Sequence, residues 1–444
     1  VSRVLVLVDG EHYPPVVRAA IARRDGVVGA ALLGGTEKLS GDPSYGVPHV
    51  GGATPVAALL AAMERFEPDE VHDLSDEPVL DARHRMRLAA HVLARGLPYV
   101  GSDFRFDPPP RPRLATHPSV AVIGTGKRTG KTAVAAHLAR LLREDGAPPV
   151  IVTMGRGGPP EPEVIDPAAT DLSAAGLLAL VEQGRHAASD HLEDAITAGV
   201  VTVGTRRCGG GLAGTPVDDT FAAGVAVANG IATHGLLFEG SGTAIPPVHA
   251  DATICVVGAD ADLELVTGYL GVYRVLLSDL IVVTMVEQPL ADSAIALGAI
   301  VRELVTGEPA VVHPAVVHTV FRPVPLTPVS GRRIFFATTA SGPAAEIMAS
   351  HLEREHGAVV VGFSNQLGNR LALAADLERM EDAEVLVVEL KAAAIDIAAR
   401  TALERGMDVV FCRNDVVTVG GDGDFDELAR TTVRLAADRH RQAR

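Results

Sequence analysis

Tryptophan is absent from this chain, and Phe and Tyr bring the aromatic share to only 4%. The cores must therefore be filled with Val, Leu, Ile and Ala. Cysteine is almost missing too. Cys208, Cys255 and Cys412 are scattered and odd in number, which excludes a disulfide framework or a zinc module and fits reduced thiols in the cytoplasm. No stretch approaches the roughly 20 apolar residues of a membrane helix. The apolar run Val4 to Val8, ended by Asp9, is too short for a signal-peptide core. No long basic run offsets a net charge of −16, which argues against a nucleic-acid partner. The expectation is a cytoplasmic protein without a membrane or nucleic-acid partner.

What is present is a globular composition, with 47% hydrophobic and 21% charged residues. The 444 residues leave room for two or three domains. Proline-rich stretches at Asp107 to Pro118 and, more loosely, Pro309 to Arg333 suit extended connections. They suggest units at 1–106, 118–325 and 329–444. Each unit alternates short apolar runs with helical patterns, the signature of α/β folds with parallel sheets. Strands are expected at Val4–Val8, Val120–Ile123, Val150–Met154, Val200–Gly204, Gly235–Glu239 and Asp408–Cys412, among others. A helix is expected from Lys131 to about Glu144.

Lysine is the scarcest cation. Only Lys38, Lys127, Lys131 and Lys391 occur, and two of these share the segment Gly124-Thr125-Gly126-Lys127-Arg128-Thr129-Gly130-Lys131-Thr132. Glycines there let backbone N–H groups turn toward phosphate oxygens, and the following helix N-terminus adds positive charge. Lys131 is expected on the β- and γ-phosphates, and Thr132 on Mg²⁺. Ala133 continues the first helical turn. Lys127 and Arg128 are further cations for the nucleotide. The segment predicts an ATP- and Mg²⁺-binding phosphate loop in a central P-loop NTPase-type parallel sheet. Its spacing departs from the usual one, because Thr125 stands where a glycine is common. This GTxxxxGKT form resembles the loop of dethiobiotin synthetase.

Other candidates sit at expected strand ends. Glu239, before Gly240-Ser241-Gly242, is a metal-side acid. Asp171 is a second metal candidate or a helix cap. Arg156 and the adjacent Arg206 and Arg207 lie in glycine-rich loops that suit phosphate recognition. Asp9 and His12 follow the first strand, and Lys391 follows a late one. Nothing beside His186 or Cys208 marks either as a nucleophile.

Six strings, VDGEHYPPV, GTGKRTGKTAV, TMGRGGPPEPEVI, RRCGGGLAG, FEGSG and ELKAAA, resemble the cyclic 2,3-diphosphoglycerate synthetase family and span nearly the whole chain. The resemblance implies a ligase that uses ATP and Mg²⁺ to close 2,3-diphosphoglycerate into an intramolecular pyrophosphate. Arg156, Arg206, Arg207, Asp9, His12 and Lys391 would then serve the substrate. Lys131, Lys127, Arg128 and Glu239 would serve catalysis. Two alternatives stay open: a kinase or ligase acting on another small phosphorylated acid, and a nucleotide switch. The sequence sets no oligomeric state; a homodimer is one assembly it allows.

Overall fold

The structure is a computed structural model that describes residues 1–39, 41, 43–185, 189–287, 290–305, 314–380, 382–391 and 394–444, with the backbone alone at 302, 303 and 305. Val4 to Val8 are all buried. A continuous apolar strand of this kind belongs inside a sheet covered on both faces. That strand, β1, lies in a six-stranded sheet with β2 (Val27–Leu32), β3 (His49–Gly51), β4 (Glu70–Asp73), β5 (Tyr99–Val100) and β6 (Arg105–Phe106). The order is β3-β2-β1-β4-β5-β6, and the pairs are parallel apart from the last.

A second sheet of 13 strands carries the rest of the described chain. Its central part comprises β7 (Ser119–Gly124), β8 (Val150–Gly155), β9 (Glu163–Ile165), β10 (Thr202–Cys208), β11 (Asp218–Asp219), β12 (Leu236–Glu239), β13 (Ala252–Gly258) and β14 (Leu280–Thr284). It continues through β15 (Ala315–Pro325), β16 (Arg333–Ala337), β17 (Val359–Ser364), β18 (Val385–Glu389) and β19 (Asp408–Gly421). The order is β11-β10-β8-β12-β7-β13-β14-β15-β19-β18-β16-β17, with β9 on β10. The α/β expectation with a mostly parallel central sheet therefore holds.

Part of the second proline-rich stretch is a strand, not a connection. β15 pairs with β14 over Ala315–His318 and with β19 over Val317–Pro325. Pro323 and Pro325 lie beyond the last β14 partner, where one side of the strand carries no ladder and a missing N–H is tolerated. The antiparallel partner β19 likewise runs well past the expected end at Cys412.

The helix Phe425–Gln442 buries Phe425, Ala429, Thr432 and Ala436, one stripe at helical spacing. That stripe packs back onto the central sheet, in one core with Val120, Val122 and Val134. Among the described residues no helix is long and apolar enough to cross a membrane.

Candidate active site

Strand β7 is buried throughout and ends at Gly124. A Cβ there would fall 2.9 Å from both the Lys131 side chain and the Thr129 hydroxyl, so only glycine lets the loop wrap this tightly. Gly130 has φ +90°, and a Cβ on it would sit 2.2 Å from the Phe321 ring on β15. Arg128 adopts φ 63° without being glycine, local strain of the kind that collects at ligand sites.

The helix Lys131–Glu144 then starts with no side-chain cap at Gly130 and no acid in its first turn, which contains Thr132 and Ala133. Its positive end is left for an anion. Lys131 is buried and donates to the Gly126 carbonyl over 2.6 Å. Burial lowers its pKa to about 8, with the Glu239 charge opposing. Thr125 N–H bonds Val256 O at 3.2 Å, and Thr284 Oγ1 donates to Thr129 O at 2.7 Å, so strands on one side clamp the loop. Lys127 and Arg128 are exposed on the loop. From the C-terminal segment, a Cβ on Gly368 would lie 3.2 Å from the Arg128 guanidinium.

Thr132 Oγ1 donates to Glu239 Oε1 over 2.7 Å. Glu239 is 3% exposed, and among the described residues its other oxygen meets no donor except the neighbouring Asp194 carboxyl. Burial, with the charge of Asp190, pushes its pKa up to about 7. Beside it stands Asp194, 0% exposed, from the helix Asp190–Ala198. Neither Asp194 oxygen has a donor other than a proton shared with Glu239. Burial and then Glu239 raise the Asp194 pKa well above the carboxylate range.

These orphan oxygens beside a threonine hydroxyl fit Mg²⁺. That ion takes few protein ligands and fills its octahedron with water and phosphate oxygens. Among the described residues no cluster of three or more His, Cys, Asp or Glu forms a complete metal cage. Asp171 does not join the pair. It is exposed, and its carboxylate accepts the Ser173 N–H at 3.0 Å, holding the turn before the helix Ala174–Glu182.

Two guanidiniums meet over the Glu239-Gly-Ser-Gly turn. A Cβ on Gly242 would lie 2.8 Å from Arg156 Nη2 and 3.4 Å from Arg207 Nη2. Arg207 is 8% exposed and donates to Gly209 O at 2.6 Å and Ser241 O at 2.7 Å, while its buried Nε has no partner. Burial, then the neighbouring Arg156 charge, lowers its pKa. No carboxylate pairs with either arginine among the described residues. The Asp190 charge only partly offsets these two like charges, which side by side and without an ion-paired acid suit an anion. Arg206 does not share it. It follows the pleat of β10 to the opposite face and is exposed, because successive strand residues alternate sides.

Lys391 Nζ lies 3.2 Å from Glu193 Oε1. It lines a cleft with Ala133 and Ala136 of the loop helix and with Arg413 and Asn414 of β19. Burial disfavours its charge, but Glu193 and Glu389 outweigh burial and hold its pKa above the usual value. Burial raises Glu193 to about 7 against the pull of Lys391.

Among the described residues no hydrogen bond or ion pair joins Asp9 or His12 to these groups. Asp9 is 1% exposed and accepts from Glu11 N–H at 3.0 Å, His12 N–H at 3.1 Å, Asp76 N–H at 2.8 Å and the His12 ring at 2.8 Å. Its acceptors are spent on loops of the first sheet. Cys208 is exposed, and His186 lies outside the described residues. The sequence reading missed Asp190, Glu193 and Asp194. Acids in a helical stretch ordinarily face solvent, so no pattern marked Glu193 and Asp194 as buried or Asp190 as half-buried.

Three family models match successive parts of the chain. The cyclic 2,3-diphosphoglycerate synthetase N-terminal domain matches residues 3–107, its P-loop domain 119–316 and its C-terminal domain 325–415. A cyclic 2,3-diphosphoglycerate synthetase of Rubrobacter xylanophilus is 47% identical, over 97% of this chain and 98% of its own. Those of Methanothermobacter thermautotrophicus and Thermococcus gammatolerans are 42% and 44% identical, over 96% and 94% of this chain and 94% of each of theirs. Among solved structures, LpxK from Aquifex aeolicus in complex with ATP is 14% identical, covering 73% of this chain and 90% of its own, with a TM-score of 0.41. That similarity is too slight to bear on the site. The three domain models and the near-full-length synthetase relatives make the chain an enzyme that belongs to the cyclic 2,3-diphosphoglycerate synthetase family.

Proposed function

We propose that this enzyme uses ATP and Mg²⁺ to join the two phosphates of 2,3-diphosphoglycerate into an intramolecular pyrophosphate, releasing ADP and phosphate. The reading is carried by one juxtaposition. A phosphate loop with a metal-side acid stands beside a separate guanidinium pair at Gly242 with which no carboxylate forms an ion pair among the described residues. A simple ATPase has no need of the second anion subsite. A substrate with two phosphates and a carboxylate does. The relatives' shared name supports the same substrate class.

In this mechanism the first-turn N–H groups, Lys131, Lys127 and Arg128 hold the ATP phosphates in line. Arg156 and Arg207 hold the diphosphoglycerate, with Lys391 at the cleft edge. One substrate phosphate oxygen attacks the γ-phosphorus, and the bond to ADP breaks. The second substrate phosphate then attacks the inner phosphorus of the new pyrophosphoryl group, closing the ring and expelling phosphate. Both steps bring anions together, so positioning and positive charge supply most of the rate. Thr132 and Glu239 would hold Mg²⁺, which would neutralise charge on the phosphates. No covalent phosphoenzyme is required.

The test is ³¹P NMR of the enzyme with ATP, Mg²⁺ and 2,3-diphosphoglycerate. A cyclic pyrophosphate signal that rises with ADP and phosphate is expected. A linear phosphorylated product would replace this reading with a kinase.

A further inference from the structure

The helix Asp190–Ala198 carries two consecutive buried acids, and only one of them is neutralised. Glu193 pairs with Lys391 at 3.2 Å. Among the described residues no cation pairs with Asp194. We propose that Asp194 is the second carboxylate of the cation site, acting with Thr132 and Glu239 on the divalent metal that accompanies the nucleotide.

Three observations converge on this. Asp194 is 0% exposed, and among the described residues its carboxyl meets no protein donor except the Glu239 carboxyl, with which it shares a proton. Its neighbour Glu239 has one oxygen on Thr132, and among the described residues only the Asp194 carboxyl faces the other. Lys131, the nearest loop cation in sequence, directs its ammonium to Gly126 O at 2.6 Å and Thr129 Oγ1 at 3.4 Å rather than to either acid. Unpaired buried carboxylates are among the most costly groups a core can hold. Hard oxygen donors in this arrangement suit Mg²⁺ or Mn²⁺. Asp171 was the sequence candidate for this role, yet its carboxylate is committed to Ser173.

The inference rests on the nucleotide and metal part of the proposed function, not on the cyclic product, and its test reads metal binding directly. Mn²⁺ is titrated into the full chain with saturating ADP, and the free ion is followed by EPR. The parent is compared with Asp194→Asn, which keeps the shape and removes the charge, and with Asp194→Ser, which also removes bulk. Mn²⁺ affinity should fall by at least ~10-fold in both. ADP affinity in EDTA should match the parent, because the loop is untouched. If either variant, folded by its melting curve, binds Mn²⁺ as tightly as the parent, Asp194 is a structural acid sharing a proton with Glu239 and the proposal fails. Weakened Mn²⁺ binding upholds the metal assignment even if no cyclic product is found, an outcome that would count against the reaction alone.

Discussion

Lys391 Nζ and Glu193 Oε1, 3.2 Å apart, tie the C-terminal domain to the helix that brings Asp194 to the phosphate loop. Removing one partner strands a buried charge. Lys391→Ala should lower unfolding free energy by about 3 kcal/mol, read from urea denaturation. Adding Glu193→Gln should restore most of that loss, because the stranded carboxylate is gone. No recovery in the double variant would mean that the pair contributes nothing through charge.

Lys131→Ala removes the buried ammonium from the nucleotide phosphates. Turnover should fall by about 10²–10³ or more, with circular dichroism and melting close to the parent. Near-parental turnover would remove the central claim about the loop.

Arg207 and Arg206 are neighbours in sequence but face opposite ways from β10. Arg207→Ala should raise the KM for 2,3-diphosphoglycerate or lower kcat by an amount worth ~2–5 kcal/mol, the usual loss for a buried charged hydrogen bond. Arg206→Ala should behave nearly as the parent, and ATP affinity should change little in either. Steady-state kinetics with each substrate varied checks this. A collapse of ATP affinity in Arg207→Ala would assign the guanidinium pair to the nucleotide.

Glu239 gives a stability signature. Its pKa is about 7 in the folded chain against 4.5 for an ordinary glutamate. Between those values the folded state holds the proton more tightly than the unfolded state, so stability is lost as pH rises from 4.5 to 7. In EDTA the melting temperature of the parent should therefore decline over this window more than that of Glu239→Gln. Mg²⁺ with ADP should reverse the decline by occupying the ionised acid. Parallel pH profiles for the two proteins would show that Glu239 ionises freely.

The phosphate loop was legible because its chemistry is local. A glycine turn, a lysine and a threonine at fixed spacing need only a strand before and a helix after, and β7 and the helix Lys131–Glu144 provide both. Glu239 was legible as an acid at a strand end. Asp194 was not, because its burial is set by the distant partners Thr132 and Glu239. The separation of Arg206 from Arg207 follows from strand alternation, which the expected strand did not reach because it ended at Gly204, short of the strand's end at Cys208. β15 was obscured by its prolines, whose tolerance depends on how far β14 reaches beside it. In the Asp9-to-Pro15 string, Asp9 accepts N–H groups from its own turn and from Asp76 on a neighbouring loop, a bond no local pattern could show.

The helix Phe425–Gln442 covers strands made some 300 residues earlier, among them β7 at Ser119–Gly124. A ribosome therefore releases the central strands well before the surface that shields them. Until Phe425, Ala429 and Ala436 arrive, Val120 and Val122 on one face of that sheet lack part of their cover. Exposed apolar sheet is what chaperones bind and what aggregates. The phosphate loop is thus held on a scaffold completed only after strands β15 to β19 have been synthesised, which links the maturation of the catalytic centre to translation of the helix Phe425–Gln442.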